Sequence, residues 1–132
     1  VKNGVLLAKK FNLPERIIDF IKSHHGTTTV LYFFHKQSLI NKNVIIETFK
    51  YPGPKPHSKE TSIVMIADGV EAASKSLKTP NLENIKQLVD KVTSRLMEEN
   101  QFIDATITLK DIQIVKKVIT DKLVSSFQLR VE

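Results

Sequence analysis

The sequence contains no cysteine, which excludes disulfide scaffolds, thiolate metal sites and cysteine nucleophiles. Glycine (4) and proline (5) are sparse among its 132 residues, and the composition is ordinary, so collagen-like, coiled-coil and disordered classes are excluded. Long hydrophobic runs are missing: the longest apolar stretches, such as Ile63 to Ala67, are far too short to span a bilayer. No signal peptide opens the chain, so a soluble polypeptide is expected. Lysine and arginine never run beyond two residues, and aromatics do not interleave with them, which argues against a DNA or RNA surface.

What is present is a 41% hydrophobic, 26% charged chain that predicts one domain over residues 1–132. A chain of this length buries roughly two-thirds of its unfolded surface, enough for a core without covalent support. The formal charge is +6, and all of the excess lies in residues 1–60, where ten basic residues face only Glu15, Asp19, Glu47 and Glu60. Residues 61–132 carry ten charges of each sign. The asymmetry points to an anionic partner for the first half, and a solubilising surface with chance clustering accounts for it equally well.

Apolar spacing is helical along most of the chain. Val5, Leu6, Leu7 and Ala8 mark a short helix that stops near Asn12. Pro14 suits the first turn of a second helix, with Ile17, Ile21 and His24 on one stripe, Ile18 and His25 beside it, and Gly26 as terminator. From Thr27 to Ile40 helix and strand compete, and the order Val30, Leu31, Phe33, Phe34 favours a buried helix. Three of the five prolines fall in 52–56, where no helix can form. Ser58 then caps a helix over Lys59 to Leu77 with a stripe of Ile63, Ile66, Ala67, Val70, Ala73 and Leu77. Thr79-Pro80 opens the next, carrying Leu82, Ile85, Leu88, Val89, Val92 and Leu96. Thr108 to Asp111 reads as a capping box for a last helix with Ile112, Val115, Ile119, Leu123 and Phe127. The fold class predicted is all-α.

Three features exceed what propensity explains. His24 and His25 end an apolar stripe and are expected to face inward or into a cleft, as hydrogen-bonded core residues or as metal ligands; neutral imidazole suits zinc, iron or manganese. Asp68 lies beside an apolar face between Ala67 and Gly69, where a carboxylate is costly unless it is paired, with Lys75 or with a neighbouring helix, or bound to metal. Gly69 costs about 1 kcal/mol of helix stability, which suggests a close approach there. Third, the proline loop runs into the helix start at Ser58 flanked by Lys55 and Lys59, either a phosphate cradle or a plain turn. His35 and His57 are expected to be solvated or structural.

The strings His24-His25-Gly26-Thr27-Thr28, Tyr32-Phe33-Phe34, Tyr51-Pro52-Gly53-Pro54-Lys55-Pro56-His57-Ser58-Lys59-Glu60 and Ala67-Asp68-Gly69-Val70-Glu71-Ala72-Ala73, with Leu109-Lys110-Asp111 near the end, together resemble the cytoplasmic HD domain of the bacterial seven-transmembrane HD family. The likeness covers nearly the whole chain. It implies an HD-type helical bundle and a hydrolase: a phosphodiesterase that converts cyclic di-AMP to the linear dinucleotide with two divalent ions, iron or manganese. It implies that His24 and His25 ligate one ion and Asp68 the other, and that Thr27, Lys55, Ser58 and Lys59 lie near the substrate.

The resemblance also implies ligands that this sequence does not contain: an upstream His, the paired His-Asp that names the family, and a further His just before the position of Val1. The sequence therefore reads as the C-terminal portion of an HD domain without its N-terminal helices, inactive by itself. Apolar surface around Ile17, Ile21, Phe33 and Phe34 would then be uncovered, and a homodimer or a rearranged N-terminal region would cover it. The parent protein is expected to be membrane-anchored, with this part on the cytoplasmic side of the bacterial inner membrane. A non-catalytic nucleotide-sensing or interaction module is the alternative function, and nucleotide dephosphorylation a third.

Overall fold

The computed structural model describes residues 1–29 and 50–131. Among these, the order is α1 (Lys2–Lys10), α2 (Glu15–Ser23), α3 (Lys59–Ser74), α4 (Leu82–Glu98) and α5 (Leu109–Val131), with no strand beyond a single bridge. The all-α expectation holds. None of these helices is long and apolar enough to cross a membrane.

Each helix starts and stops where short-range chemistry directs. Asn12 takes a left-handed backbone (φ 54°) just past α1, a conformation asparagine tolerates. Pro14 stands one residue earlier than expected, as the residue before the first turn of α2 rather than within it. Ser58 Oγ accepts the Thr61 amide at 3.1 Å and so caps α3. Asn81, not the predicted Thr79-Pro80, caps α4 by accepting from Asn84 N at 2.8 Å. Helix α3 also ends at Ser74, short of Leu77.

The core lies where α3, α4 and α5 meet: Met65, Ile66 and Val70 pack against Ile85, Val89 and Leu96, with Val115 closing the cluster. Ile66 is fully enclosed. Ala67, placed on the core stripe by spacing, is exposed, and Met65 takes its place because α3 turns that face to α4. Gly69 answers the expected close approach: a Cβ there would lie 3.1 Å from Val92 Cγ1. Helices α1 and α2 pack on each other. Ile17 is 43% exposed while Ile18 is buried, so the stripe of α2 is rotated by one residue from the predicted one. Leu6, Leu7, Phe11 and Leu13 are exposed on the same pair of helices. Phe33 and Phe34 lie outside the described residues.

Past the turn that ends at Thr27, the segment is extended where it is described, not helical. Thr29 forms an antiparallel bridge with Lys50, and Tyr51 N donates to Thr28 O at 2.9 Å. Three successive threonines favour this backbone, since branching at Cβ suits extended chain. The remainder of the predicted 27–40 helix lies outside the described residues, as does His35.

At the start of α5 the capping box is reciprocal: Thr108 Oγ1 accepts from Asp111 N, and Asp111 Oδ2 accepts from Thr108 N, both at 3.0 Å. The Thr108 amide first, and then its hydroxyl, hold the Asp111 carboxyl below its ordinary 3.8, with Lys59 Nζ at 3.5 Å adding to the effect. A depressed folded pKa gives stability that is present above 3.8 and is lost as pH falls through the folded value. Thr108→Ala should therefore cost about 1 kcal/mol at neutral pH in urea denaturation. Asp111→Asn should flatten the fall of melting temperature below pH 4; an unchanged acid slope would remove the carboxylate from this role.

Candidate metal centre and cleft

His24 and His25 sit in the turn that follows α2, and Asp68 projects from the middle of α3. The turn is fixed from below. Gly26 adopts φ 53°, and Gln101, only 1% exposed, bridges from beyond α4. Its Oε1 accepts from Thr27 N at 3.0 Å, while its Nε2 donates to Thr27 Oγ1 at 3.0 Å and to Glu99 O at 3.1 Å. Every polar group of that buried amide is thereby used to hold the residue two places after the histidine pair. Thr27 is accordingly tied into the scaffold.

One ligand atom from each of His24, His25 and Asp68 lies within 4.8 Å of the others. His24 Nδ1 is 2.9 Å from Phe20 O. A carbonyl can only accept, so Nδ1 carries the proton and Nε2 presents its lone pair. His25 Nδ1 is 3.5 Å from Asp68 Oδ2. Its ring stacks on Tyr51 with centroids 4.4 Å apart and planes 12° from parallel, and lies 3.9 Å from the His24 ring. Burial pushes the His25 imidazole below its ordinary value, the His24 ring adds to this, and Asp68 opposes it. The neutral form of His25, the one that binds metal, is thereby favoured.

Asp68 differs from its sequence reading in two respects. Its side chain is 48% exposed, so no desolvation cost demands explanation, and its partner is His25 rather than Lys75, which pairs with Glu71 at 3.5 Å. Ligand bonds of about 2.0–2.2 Å place neighbouring ligands of one tetrahedral ion about 3.4 Å apart. The His25–Asp68 separation is of that order, and the three ligand atoms lie close enough to serve one ion or two adjacent ones. The donor set fits a borderline or hard divalent ion.

The cluster opens into a cavity of about 600 Å³ between α3 and α4. Thr28 and Thr29 line it on the histidine side, Met65, Leu88, Val92 and Leu96 provide apolar wall, and Lys91 and Arg95 stand on the α4 side. The four residues expected near substrate are not brought into this lining. Ser58 Oγ is engaged with Thr61, Lys59 with Asp111, Thr27 with Gln101, and Lys55 belongs to the proline loop. His57 is exposed. Sequence reasoning missed Tyr51, Gln101, Lys91 and Arg95. Only the last two carried a signal, a four-residue spacing that puts both on one helix face.

No family model matches the sequence. The chain is 34% identical over 130 residues to the cyclic-di-AMP phosphodiesterase PgpH of Bacillus subtilis, covering 98% of this chain and 18% of that protein. It is 33% identical over 131 residues to PgpH of Listeria monocytogenes, again covering 18% of the relative. The chain thus spans less than a fifth of the length of these curated relatives. Among solved structures, the HD domain of L. monocytogenes PgpH in complex with cyclic-di-AMP superimposes with a TM-score of 0.91 at 33% identity, over 96% of this chain and 59% of that one. A second structure of the same domain gives 0.87. By sequence and by fold, the chain is homologous to the HD domain of the PgpH cyclic-di-AMP phosphodiesterases.

Proposed function

We propose that this chain forms part of a metal-dependent phosphodiesterase that opens one phosphodiester bond of cyclic di-AMP and releases the linear dinucleotide. The observation that carries the proposal is the meeting of His24, His25 and Asp68 at the mouth of a roomy cleft, although the second and third stand 43 positions apart in the sequence. Homology to a domain solved with cyclic-di-AMP supplies the substrate class.

His24 through Nε2 and His25 would hold one divalent ion, iron or manganese, and Asp68 would ligate its neighbour, the pair that the family resemblance implies. Such ions, when bound, polarise a phosphoryl oxygen and lower the pKa of an attacking water. The chain's own residues do the rest. The Phe20 carbonyl fixes the His24 tautomer, and Tyr51 holds the plane of the His25 ring. Asp68 orients that ring from the opposite helix. The apolar wall of Met65, Val92 and Leu96 excludes water from the nucleotide and strengthens every charge interaction in the cleft. The parent protein is read as membrane-anchored with this part on the cytoplasmic side.

Metal analysis and a cyclic di-AMP hydrolysis assay on the full-length protein test this. The expected result is bound iron or manganese and linear dinucleotide as product, with activity lost to a chelator and restored by either ion. Tight binding of cyclic di-AMP without turnover, at any metal loading, would overturn the enzyme and leave the nucleotide-sensing module.

A further inference from the structure

We propose that Lys91 and Arg95 form an anion subsite in the cleft, which takes the second phosphodiester of a bound cyclic dinucleotide while the first lies at the His24–His25–Asp68 cluster. The proposal rests on the function given above. Four residues apart on α4, the two side chains share one helix face, and both line the cavity that the cluster opens into. Their placement follows from a close contact between the helices. Gly69 of α3 meets Val92 of α4, so Asp68 and Lys91, each one residue from that contact, flank the same groove.

The charges of the two are available. Lys91 makes no ion pair with any described residue. Arg95 uses Nε alone, 3.3 Å from Glu99 Oε1, which leaves both Nη groups without a partner among the described residues. Glu99 Oε2 is buried and unpartnered, so the carboxylate is a one-point tether that sets the guanidinium plane rather than neutralising its whole edge. A planar fork with its outer donors open is suited to phosphate oxygens.

The ligand's chemistry requires such a site. A cyclic dinucleotide carries two phosphodiester anions on opposite sides of its ring, and a metal cluster can engage one. Between the cluster and the cations, the cleft wall is apolar, suited to ribose and base. The second phosphate would therefore lack a counter-charge unless the opposite wall of the cleft supplies one. Lys91 and Arg95 are the lysine and arginine that line this cavity among the described residues.

Lys91→Gln, Arg95→Gln and the double variant keep side-chain length and remove charge, and Lys91 is exposed, so folding is expected to survive. Binding of cyclic di-AMP and of AMP to the manganese-loaded full chain is measured by calorimetry, with manganese content as a control. The double variant should bind cyclic di-AMP at least tenfold more weakly, with AMP changed less than twofold and metal content unchanged. Cyclic di-AMP within twofold of wild type, or an equal loss for AMP, would overturn the subsite. A second arm titrates inorganic phosphate and follows amide resonances: saturable shifts at residues 91–95, absent in the double variant, support the subsite, and their absence from wild type overturns it. Phosphate shifts without any cyclic di-AMP binding by wild type would remove the proposed substrate and leave the anion subsite standing.

Discussion

Gly26→Ala should destabilise the protein by about 2–4 kcal/mol and loosen the histidine turn with it. Two terms add. A residue with a Cβ at φ 53° costs about 1 kcal/mol in left-handed backbone. The new methyl also has no room. It would overlap Gln101 Oε1, lie 2.8 Å from Met65 Cε and touch Pro56 Cδ at 3.4 Å. Met65 can swing aside, because its side chain is flexible. Gln101 cannot, since its amide is enclosed and bonded on both sides to Thr27 and Glu99. Overpacking of this kind costs about 1–3 kcal/mol. The mechanism is tested by a double-mutant cycle with Gln101→Ala, which removes the obstructing amide. Gly26→Ala should cost at least about 1 kcal/mol less in that background. Equal costs in the two backgrounds would place the penalty entirely in the backbone.

The difference between what residues 24–29 suggest and what they form shows where sequence reading ends. The starts of α3 and α5 were legible because a cap is a contact over three or four residues, Ser58 with Thr61 and Thr108 with Asp111; the start of α4 at Asn81 and the end of α3 at Ser74 were not. The site was half legible. Adjacent histidines before a glycine, and an aspartate in mid-helix beside a glycine, stand out as residue types. That they meet is a property of α3 lying against the turn. Which of the two adjacent stripes of α2 packs inward, that of Ile17 or that of Ile18, was less legible, although the exposure expected around Ile17 is present. A nine-residue helix offers too few positions to fix the phase of its apolar stripe. Gln101 was invisible: its bond to Thr27 spans 74 positions, and nothing local marks a glutamine as buried. Asp68 was read as a buried carboxylate in need of neutralisation. Its position at the mouth of a cleft makes it half exposed, so its value is geometric.

That geometric value leads to the second large effect. Asp68→Ala should lower manganese affinity at least about 100-fold, beyond the 10- to 100-fold typical of losing a partner that only orients a ligand. Two contributions coincide in one carboxylate. It supplies an anionic oxygen among the three clustered ligand groups, and it stands 3.5 Å from His25 Nδ1, where it steadies a ring otherwise held by stacking on Tyr51. Asp68→Asn separates them, because the amide keeps a similar shape and a carbonyl oxygen but lacks the charge. It should retain more manganese than alanine and less than aspartate. Since the side chain is half exposed, neither variant should move the melting temperature of the metal-free protein by more than a degree or two, whereas manganese should raise the melting temperature of wild type far more than that of either variant. Calorimetric manganese titration with parallel melting curves reads both quantities. Undiminished manganese affinity in Asp68→Ala would show that the histidines bind without α3, and the cleft would lose its claim to be a metal centre.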